Sequence, residues 1–256
     1  MRTLKLTIAY DGTRYGGWQT QRGHQASKPT IQETLERALR RILRERVPVV
    51  GSGRTDAGVH AQAQVAHTRT RSRLPCARLC YSLNQLLPAD LAVLSLEEAG
   101  AHFHAQYRAL RKRYRYRIFT GDVASPFIRP YVHQVRAPLQ LARMRREAAA
   151  LRGRHDFRAF GRAPGDGRRR ATTRTISDIR LTRRGGELHL DVEGNGFLHT
   201  MVRSIAGTLI DVGRGRLPAG TVRRMLRTKD RRLTGRTAPA KGLTLIAVDY
   251  GNGHGV

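Results

Sequence analysis

Apolar residues along the chain recur with two different periods, and these periods predict its secondary structure. Over residues 3–10 apolar and polar side chains alternate, which predicts a strand with one buried face. Residues 30–33 (TIQE) have the spacing of a capping box, in which Thr30 and Glu33 each bind the other's backbone N–H. Leucine and isoleucine then recur at helical intervals, so we expect a helix that runs from 31 to about 45.

The rest of the chain continues this mixture of strands and helices. Further strands are predicted over 47–51, 62–70, 91–97, 103–109, 111–120, 174–182, 187–193 and 243–250. Further helices are predicted over 75–87, 139–151, 197–212 and 219–228. The elements are interleaved but include paired hairpins, which favours an α+β fold with mainly antiparallel sheets over a doubly wound fold.

The length of 256 residues suits one large or two small domains. We expect an N-terminal α/β domain over 1–107 and a C-terminal α/β domain over 108–256. Residues 161–173 are rich in glycine, proline and arginine, which predicts a mobile loop.

The charge of the chain is its first functional indication. Lysine and arginine number 48 against 19 acidic residues, which gives a formal net charge of +29. Only five of the cations are lysine, and guanidinium groups bind phosphate bidentately and stack on bases. A biased codon composition would explain arginine over lysine, but not the shortage of acids. The balance therefore predicts a polyanionic partner, most simply nucleic acid.

Several classes of protein do not fit the sequence. No apolar run approaches the roughly 20 residues of a membrane span, and no secretory signal is expected. Cys76 and Cys80 cannot form a disulfide framework, so we expect a cytoplasmic protein. These cysteines and the pair His102 and His104 are too sparse for a metal site. No nucleotide-binding motif is present, and we expect no cofactor.

Asp56 is the first candidate for chemistry. It is the only acidic residue between Arg46 and Ala89, and glycines flank it on both sides. A lone loop aspartate is usually an Asx-turn or a helix cap. Here Arg54 would hold the carboxylate ionised, although an acid repels phosphates in an anion-binding surface. The residues alone leave the structural and the catalytic interpretation equally open.

Residues 111–119 (RKRYRYRIF) combine basic and aromatic side chains with a period of two. Tyr114 and Tyr116 share one face, while Arg115 and its neighbours at 113 and 117 share the other. Such a mixture is typical of surfaces that stack bases and bind phosphates. A sheet with core tyrosines and solvated arginines would show the same pattern.

Arg203 interrupts the apolar helix predicted over 197–212. An arginine buried in such a helix needs an anionic partner. Asp56 and a substrate phosphate are both available for that role.

Residues 53–61 (GRTDAGVHA) resemble the central motif of the tRNA pseudouridine synthase A family, also called tRNA-uridine isomerase I. The resemblance covers nearly the whole chain. Its other segments are 10–13, 17–21, 82–84, 87–88, 103–105, 155–157, 174–176, 201–203, 242–243 and 248–250, together with Tyr114. The residues at 199, 200 and 204 and the arginine-rich loop depart from the family's pattern.

The resemblance implies a pseudouridine synthase fold, with two α/β domains around a basic central cleft. It implies an isomerase that converts uridine to pseudouridine at positions 38, 39 and 40 in the anticodon stem-loop of tRNA. It also implies a homodimer that holds tRNA across both subunits and needs no cofactor.

The family's functional residues map onto five positions of this sequence. Asp56 is expected to be the essential carboxylate, with Arg203 as the ion-pair partner that orients it. Tyr114 is expected to stack on the uracil and to assist removal of the C5 proton. Arg54 is expected to fill the vacated stack or grip the flipped phosphate, and Leu243 to pack against the base.

Two other classes of function compete with the enzyme. A non-catalytic RNA-binding or assembly protein would use the same basic cleft and tyrosines, but would have no use for Asp56. A nuclease would need a cluster of metal-binding acids or paired histidines, which the acid-poor first half does not provide.

Overall fold

The computed structural model describes residues 1–20, 28–161 and 171–251, so most of the predicted mobile loop, residues 162–170, lies outside the described residues. The strands are β1 Arg2–Tyr10, β2 Val50–Gly51, β3 His60–Thr70, β4 Leu91–Ala99, β5 Arg111–Phe119, β6 His133–Gln134, β7 Gly153–Asp156, β8 Thr173–Arg184, β9 Glu187–Gly194 and β10 Leu243–Asp249. The helices are α1 Ile31–Leu43, α2 Cys76–Leu86, α3 Leu141–Ala149, α4 Met201–Gly213 and α5 Thr221–Thr228. The predicted α+β class is confirmed.

Contacts along the chain define two compact units. The first unit comprises Met1–Leu110 with the chain from Leu245 onward, and the second unit comprises Arg111–Thr244. The predicted division into 1–107 and 108–256 stays a prediction about domains.

Mainly antiparallel sheet with helices against it forms each unit. In the first unit the strand order is β4-β1-β3-β10, where β10 belongs to this unit from Leu245 onward, and β2 pairs with β3. In the second unit the order is β5-β9-β8-β7, and β6 adds to β5 in parallel. Helix α2 packs on β4, and α3 packs on β8.

The hydrophobic periods correctly predicted the core of the first unit. In β1 the alternating residues Leu4, Leu6 and Ile8 are fully buried. The predicted capping box starts α1, because Thr30 accepts from the backbone N–H of Glu33 and Glu33 accepts from that of Thr30. The helix therefore begins where the sequence indicated.

Three predicted elements differ from the structure. The strand predicted over 47–51 is reduced to Val50–Gly51. Helix α4 begins at Met201 rather than at 197, because Thr200 has a left-handed backbone with φ of 61°. The strand predicted over 103–109 is wrong, because none of these residues is in a strand and 105–108 form a turn.

A side chain stabilises that turn. The backbone N–H groups of Gln106 and Tyr107 donate to Nδ1 of His104, over 3.2 and 3.3 Å. The N–H of Arg108 donates to the carbonyl oxygen of His104 over 3.0 Å. Because these N–H groups bind within the turn, they are not available to a neighbouring strand.

Glu147 is a buried carboxylate that fixes helix α5 in the second unit. Its side chain on α3 is 4% exposed. One oxygen accepts from the N–H of Gly220 over 2.6 Å, and the other accepts from the N–H of Val222 over 2.9 Å. The carboxylate thus caps the first turn of α5, where the backbone N–H groups lack partners within the helix.

We expect Glu147→Gln to destabilise the protein by about 1–3 kcal/mol. The amide keeps one acceptor oxygen but replaces the other with an NH₂ group, which leaves one of the two backbone N–H groups without an acceptor. Chemical denaturation followed by circular dichroism measures the change. The control is Glu97→Gln, which removes an exposed carboxylate from β4. Equal stability of the two variants would show that the cap contributes nothing.

Candidate active site

Asp56 lies in the loop between β2 and β3, which we call the Asp56 loop (residues 52–59). Its side chain is half-buried, and that of Arg54 is exposed. The carbonyl oxygen of Asp56 accepts from the N–H of Val59 over 3.1 Å, and Gly58 takes a positive φ of 79°. The loop therefore turns tightly immediately after the carboxylate.

A buried pair of hydroxyl groups fixes the residue next to Asp56. The hydroxyl oxygens of Tyr10 and Thr55 lie 2.9 Å apart. Burial raises the pKa of Tyr10 to about 12, so this phenol stays protonated at neutral pH. The backbone N–H of Trp18 donates to the carbonyl oxygen of Thr55 over 3.0 Å. Thr55 is thus held by both its side chain and its backbone.

Two glycines let the N-terminal segment approach the Asp56 loop. A Cβ atom on Gly12 would lie 2.0 Å from the carbonyl oxygen of Val59. A Cβ atom on Gly17 would lie 2.6 Å from the carbonyl oxygen of Thr55, and Gly17 has a φ of 97°. These distances exclude any side chain without movement of the backbone. Segments 10–13 and 17–21 were marked by the family resemblance alone. The structure shows that they include residues that support the Asp56 loop.

Strand β5 of the second unit carries Tyr114 and Tyr116, and the face of the strand that bears them is buried. Tyr114 is 7% exposed, and Tyr116 and Ile118 are fully buried. The ring of Tyr114 meets Phe197 edge-on, with 5.2 Å between the ring centroids. The hydroxyl of Tyr116 donates to the carbonyl oxygen of Pro239 over 2.9 Å. The predicted period of two is therefore confirmed.

On the other face of β5, arginines pair with carboxylates of β9. Arg115 donates to both oxygens of Asp191, over 2.8 and 3.1 Å. Arg117 binds Glu187 in the same way, and this pairing holds the pKa of the Glu187 carboxyl below its usual value. A phosphate contact by Arg115 stays a prediction, and such a phosphate would meet a guanidinium that already has a bidentate partner.

Lys112 is a further cation of β5 that the residue pattern alone did not single out. It lies on the same face of β5 as Tyr114, two positions earlier. Burial lowers the pKa of Lys112 to about 8, with a smaller contribution from the Arg174 charge. Extending the period of two by one step toward the N-terminus would have placed this cation beside the tyrosines.

Arg203 and Leu243 also belong to the second unit. Nε of Arg203, on α4, donates to the carbonyl oxygen of Ala238 over 2.9 Å. Burial raises the pKa of Tyr116, and the charge of Arg203 opposes that change. Leu243 is the first residue of β10 and is 6% exposed. The predicted site residues therefore lie in both units, with Arg54 and Asp56 in the first.

Two further properties of the described residues bear on function. Among residues 1–20, 28–161 and 171–251, no group of three or more His, Cys, Asp or Glu side chains is arranged to hold a metal ion. In the same ranges, no helix has the length and apolar character needed to cross a membrane.

Comparison with known proteins gives the class of this chain, because one family model matches most of its residues. The family model described as tRNA pseudouridine synthase matches residues 6–108 and 148–251. Tyr114 and Arg115 lie between the two matched segments, whereas Asp56 and Arg203 lie within them.

Relatives match over almost the whole chain. A tRNA pseudouridine synthase A of Pelobacter propionicus is 45% identical over 250 residues, covering 98% of this chain and 100% of the relative. Those of Ruminiclostridium cellulolyticum and Acetivibrio thermocellus are 43% and 41% identical, with the same coverage. The chain therefore belongs to the tRNA pseudouridine synthase family.

We expect Tyr10→Phe to slow pseudouridine formation at saturating tRNA and to lower stability by about 1 kcal/mol, because it removes a buried hydrogen bond beside Asp56. Thr55→Val should have the same effect, and the double variant should be no worse than either single one. Single-turnover rates and denaturation curves measure both effects.

Tyr15→Phe is the matched control for this pair. Its hydroxyl donates to the carboxylate of Asp90 over 2.7 Å, so this variant also loses one tyrosine hydrogen bond, here to a charged partner. We expect a loss of stability without the slower rate. Additive effects of Tyr10→Phe and Thr55→Val would contradict the coupling of the two hydroxyls.

Proposed function

We propose that this enzyme isomerises uridine to pseudouridine at positions 38, 39 and 40 in the anticodon stem-loop of tRNA. The observation that carries the proposal is the family match over both segments of the chain, with Asp56 inside the first. The net charge of +29 supports a tRNA substrate, because a polyanion binds a strongly basic surface.

The reaction breaks one bond to the sugar and forms another. The N1–C1′ glycosidic bond breaks, the uracil turns, and C5 bonds to C1′. The C5 proton is then removed, and N1 carries a proton in the product. The target base is stacked on its neighbours in the stem-loop, so it leaves the stack before any bond breaks.

Asp56 is the group that we propose for the first step. An ionised carboxylate can attack C1′, add to C6 of the uracil, or remove the C2′ proton to give a glycal. Each route needs a carboxylate in a fixed position. The hydrogen bonds and close packing around Thr55 support this role, because they restrict the backbone on which Asp56 is carried.

The other proposed roles follow from the family resemblance. Arg203 orients the carboxylate of Asp56 as its ion-pair partner. Tyr114 stacks on the uracil and relays the C5 proton. Leu243 packs against the base, and Arg54 fills the vacated stack or grips the phosphate of the flipped nucleotide. A site without bulk water protects the cleaved sugar from hydrolysis.

We also propose that the enzyme works in the cytoplasm as a homodimer, with one tRNA held across both subunits. It needs no cofactor, because the reaction is an isomerisation within one nucleotide. The side chains of the protein supply the acid and base groups.

We expect Asp56→Asn to abolish pseudouridine formation in a folded protein. The amide is nearly the same shape as the carboxylate, but it cannot act as a nucleophile or as a comparable proton acceptor. Affinity for tRNA should persist or increase, because a negative charge has been removed from a phosphate-binding surface. The measurements are pseudouridine yield, tRNA affinity and melting temperature.

Asp122→Asn serves as the control, because it changes an exposed loop carboxylate of the second unit in the same way. It should retain full activity. A non-catalytic RNA-binding protein would form no pseudouridine with or without the substitution. Activity that survives in the Asp56→Asn variant would refute the assignment of Asp56.

We expect Tyr114→Phe to retain tRNA affinity and to slow the product-forming step by roughly a hundredfold, if the hydroxyl relays the C5 proton. The edge-on packing against Phe197 is preserved in this variant. Single-turnover kinetics measure the step directly. Near-normal rates in Tyr114→Phe with slow rates in Tyr114→Ala would leave stacking as the only role.

A further inference from the structure

An exposed tyrosine in the first unit forms the outer end of a stack of rings. Tyr107 is 79% exposed. One face of its ring stacks on His104, with centroids 4.2 Å apart and planes at 24°. His104 in turn contacts His67, with centroids 4.6 Å apart. We call Tyr107, His104 and His67 the ring stack.

The inner rings of the stack are fixed by hydrogen bonds. Nδ1 of His104 accepts from the N–H groups of Gln106 and Tyr107, as described above. His67 is 6% exposed, and its Nδ1 accepts from the N–H of Ala105 over 3.2 Å. The exposed ring therefore has a rigid support on one face, and its second face is open to solvent.

Two exposed arginines, Arg69 and Arg108, lie near the ring stack. Arg69 donates to the carbonyl oxygen of Ala101 over 3.3 Å, which places its guanidinium beside the turn. Burial lowers the pKa of His67, and the charges of His104 and Arg69 add to this change. Arg108, next to Tyr107, is exposed. No acidic residue occurs in the sequence between Glu98 and Asp122.

We propose that the open face of Tyr107 stacks on an unpaired nucleobase of the RNA substrate, outside the residues assigned to catalysis. A rigid exposed ring flanked by arginines provides base stacking and phosphate contacts together. A protein partner would need a matching acidic surface to approach the same arginines. The proposal rests on the proposed function only in taking RNA as the substrate.

Stacking on an unpaired base predicts a loss of affinity that depends on RNA structure. The probes are an RNA hairpin with the anticodon loop and a blunt duplex with the same number of phosphates. Tyr107→Ala should weaken hairpin binding by about tenfold or more and leave duplex binding unchanged. Tyr107→Phe should bind both RNAs like the unmodified protein, because it keeps the ring.

Tyr81→Ala is the matched control. Tyr81 lies on α2 in the same unit and is 67% exposed, so the variant loses a similar exposed ring. It should bind both RNAs normally. Sedimentation of all variants reports the oligomeric state.

Three results would overturn the proposal. They are unchanged hairpin affinity in Tyr107→Ala, an equal loss on hairpin and duplex, and a changed oligomeric state that accounts for the loss. The last would assign the ring to a protein contact. These are binding measurements, so a failure of the proposed isomerase activity is detected separately, by the absence of pseudouridine in intact tRNA.

Discussion

Close backbone packing is the constraint on which the position of Asp56 depends. The Asp56 loop packs so closely on Gly12 and Gly17 that neither position has room for a Cβ atom. The neutral hydroxyl groups of Tyr10 and Thr55 add a hydrogen bond to this contact. In a chain with 43 arginines, an ion pair alone would select a carboxylate's position poorly, because many cations compete for it. Short-range packing discriminates better, since it fails over a displacement of a few tenths of an ångström.

The arginines of the chain serve two purposes: some pair with carboxylates of the protein, and others attract the polyanionic substrate. On β5, Arg115 and Arg117 are each matched by a carboxylate of β9, so these pairs add nothing to the net charge of +29. Attraction for a polyanion therefore comes from the other cations of the chain. The alternation in the sequence cannot separate the two uses, because a solvated arginine and a paired one occupy the same positions of a strand.

The sequence was sufficient where structure follows from local periodicity. The alternation in β1, the capping box of α1 and the two faces of β5 all lie within one element. The isolated acid with flanking glycines also singled out the Asp56 loop. The contacts of Gly12 with Val59 and of Tyr10 with Thr55 join residues more than forty positions apart. No local pattern predicts such partners, although the family resemblance marked the segments that contain them.

The failure at 103–109 has a physical cause that bears on the ring stack. In a strand, Phe103, Ala105 and Tyr107 would share one face and be buried together. His104 instead accepts two backbone N–H groups, and the resulting turn buries Ala105 while it leaves Tyr107 exposed. The protein thereby forgoes the burial of a large ring, which is worth about 1.5–3 kcal/mol for a side chain of this size. A ligand that covers an exposed ring gains more binding free energy when the ring is already rigidly supported. The reason is that the ring then loses little conformational entropy on binding.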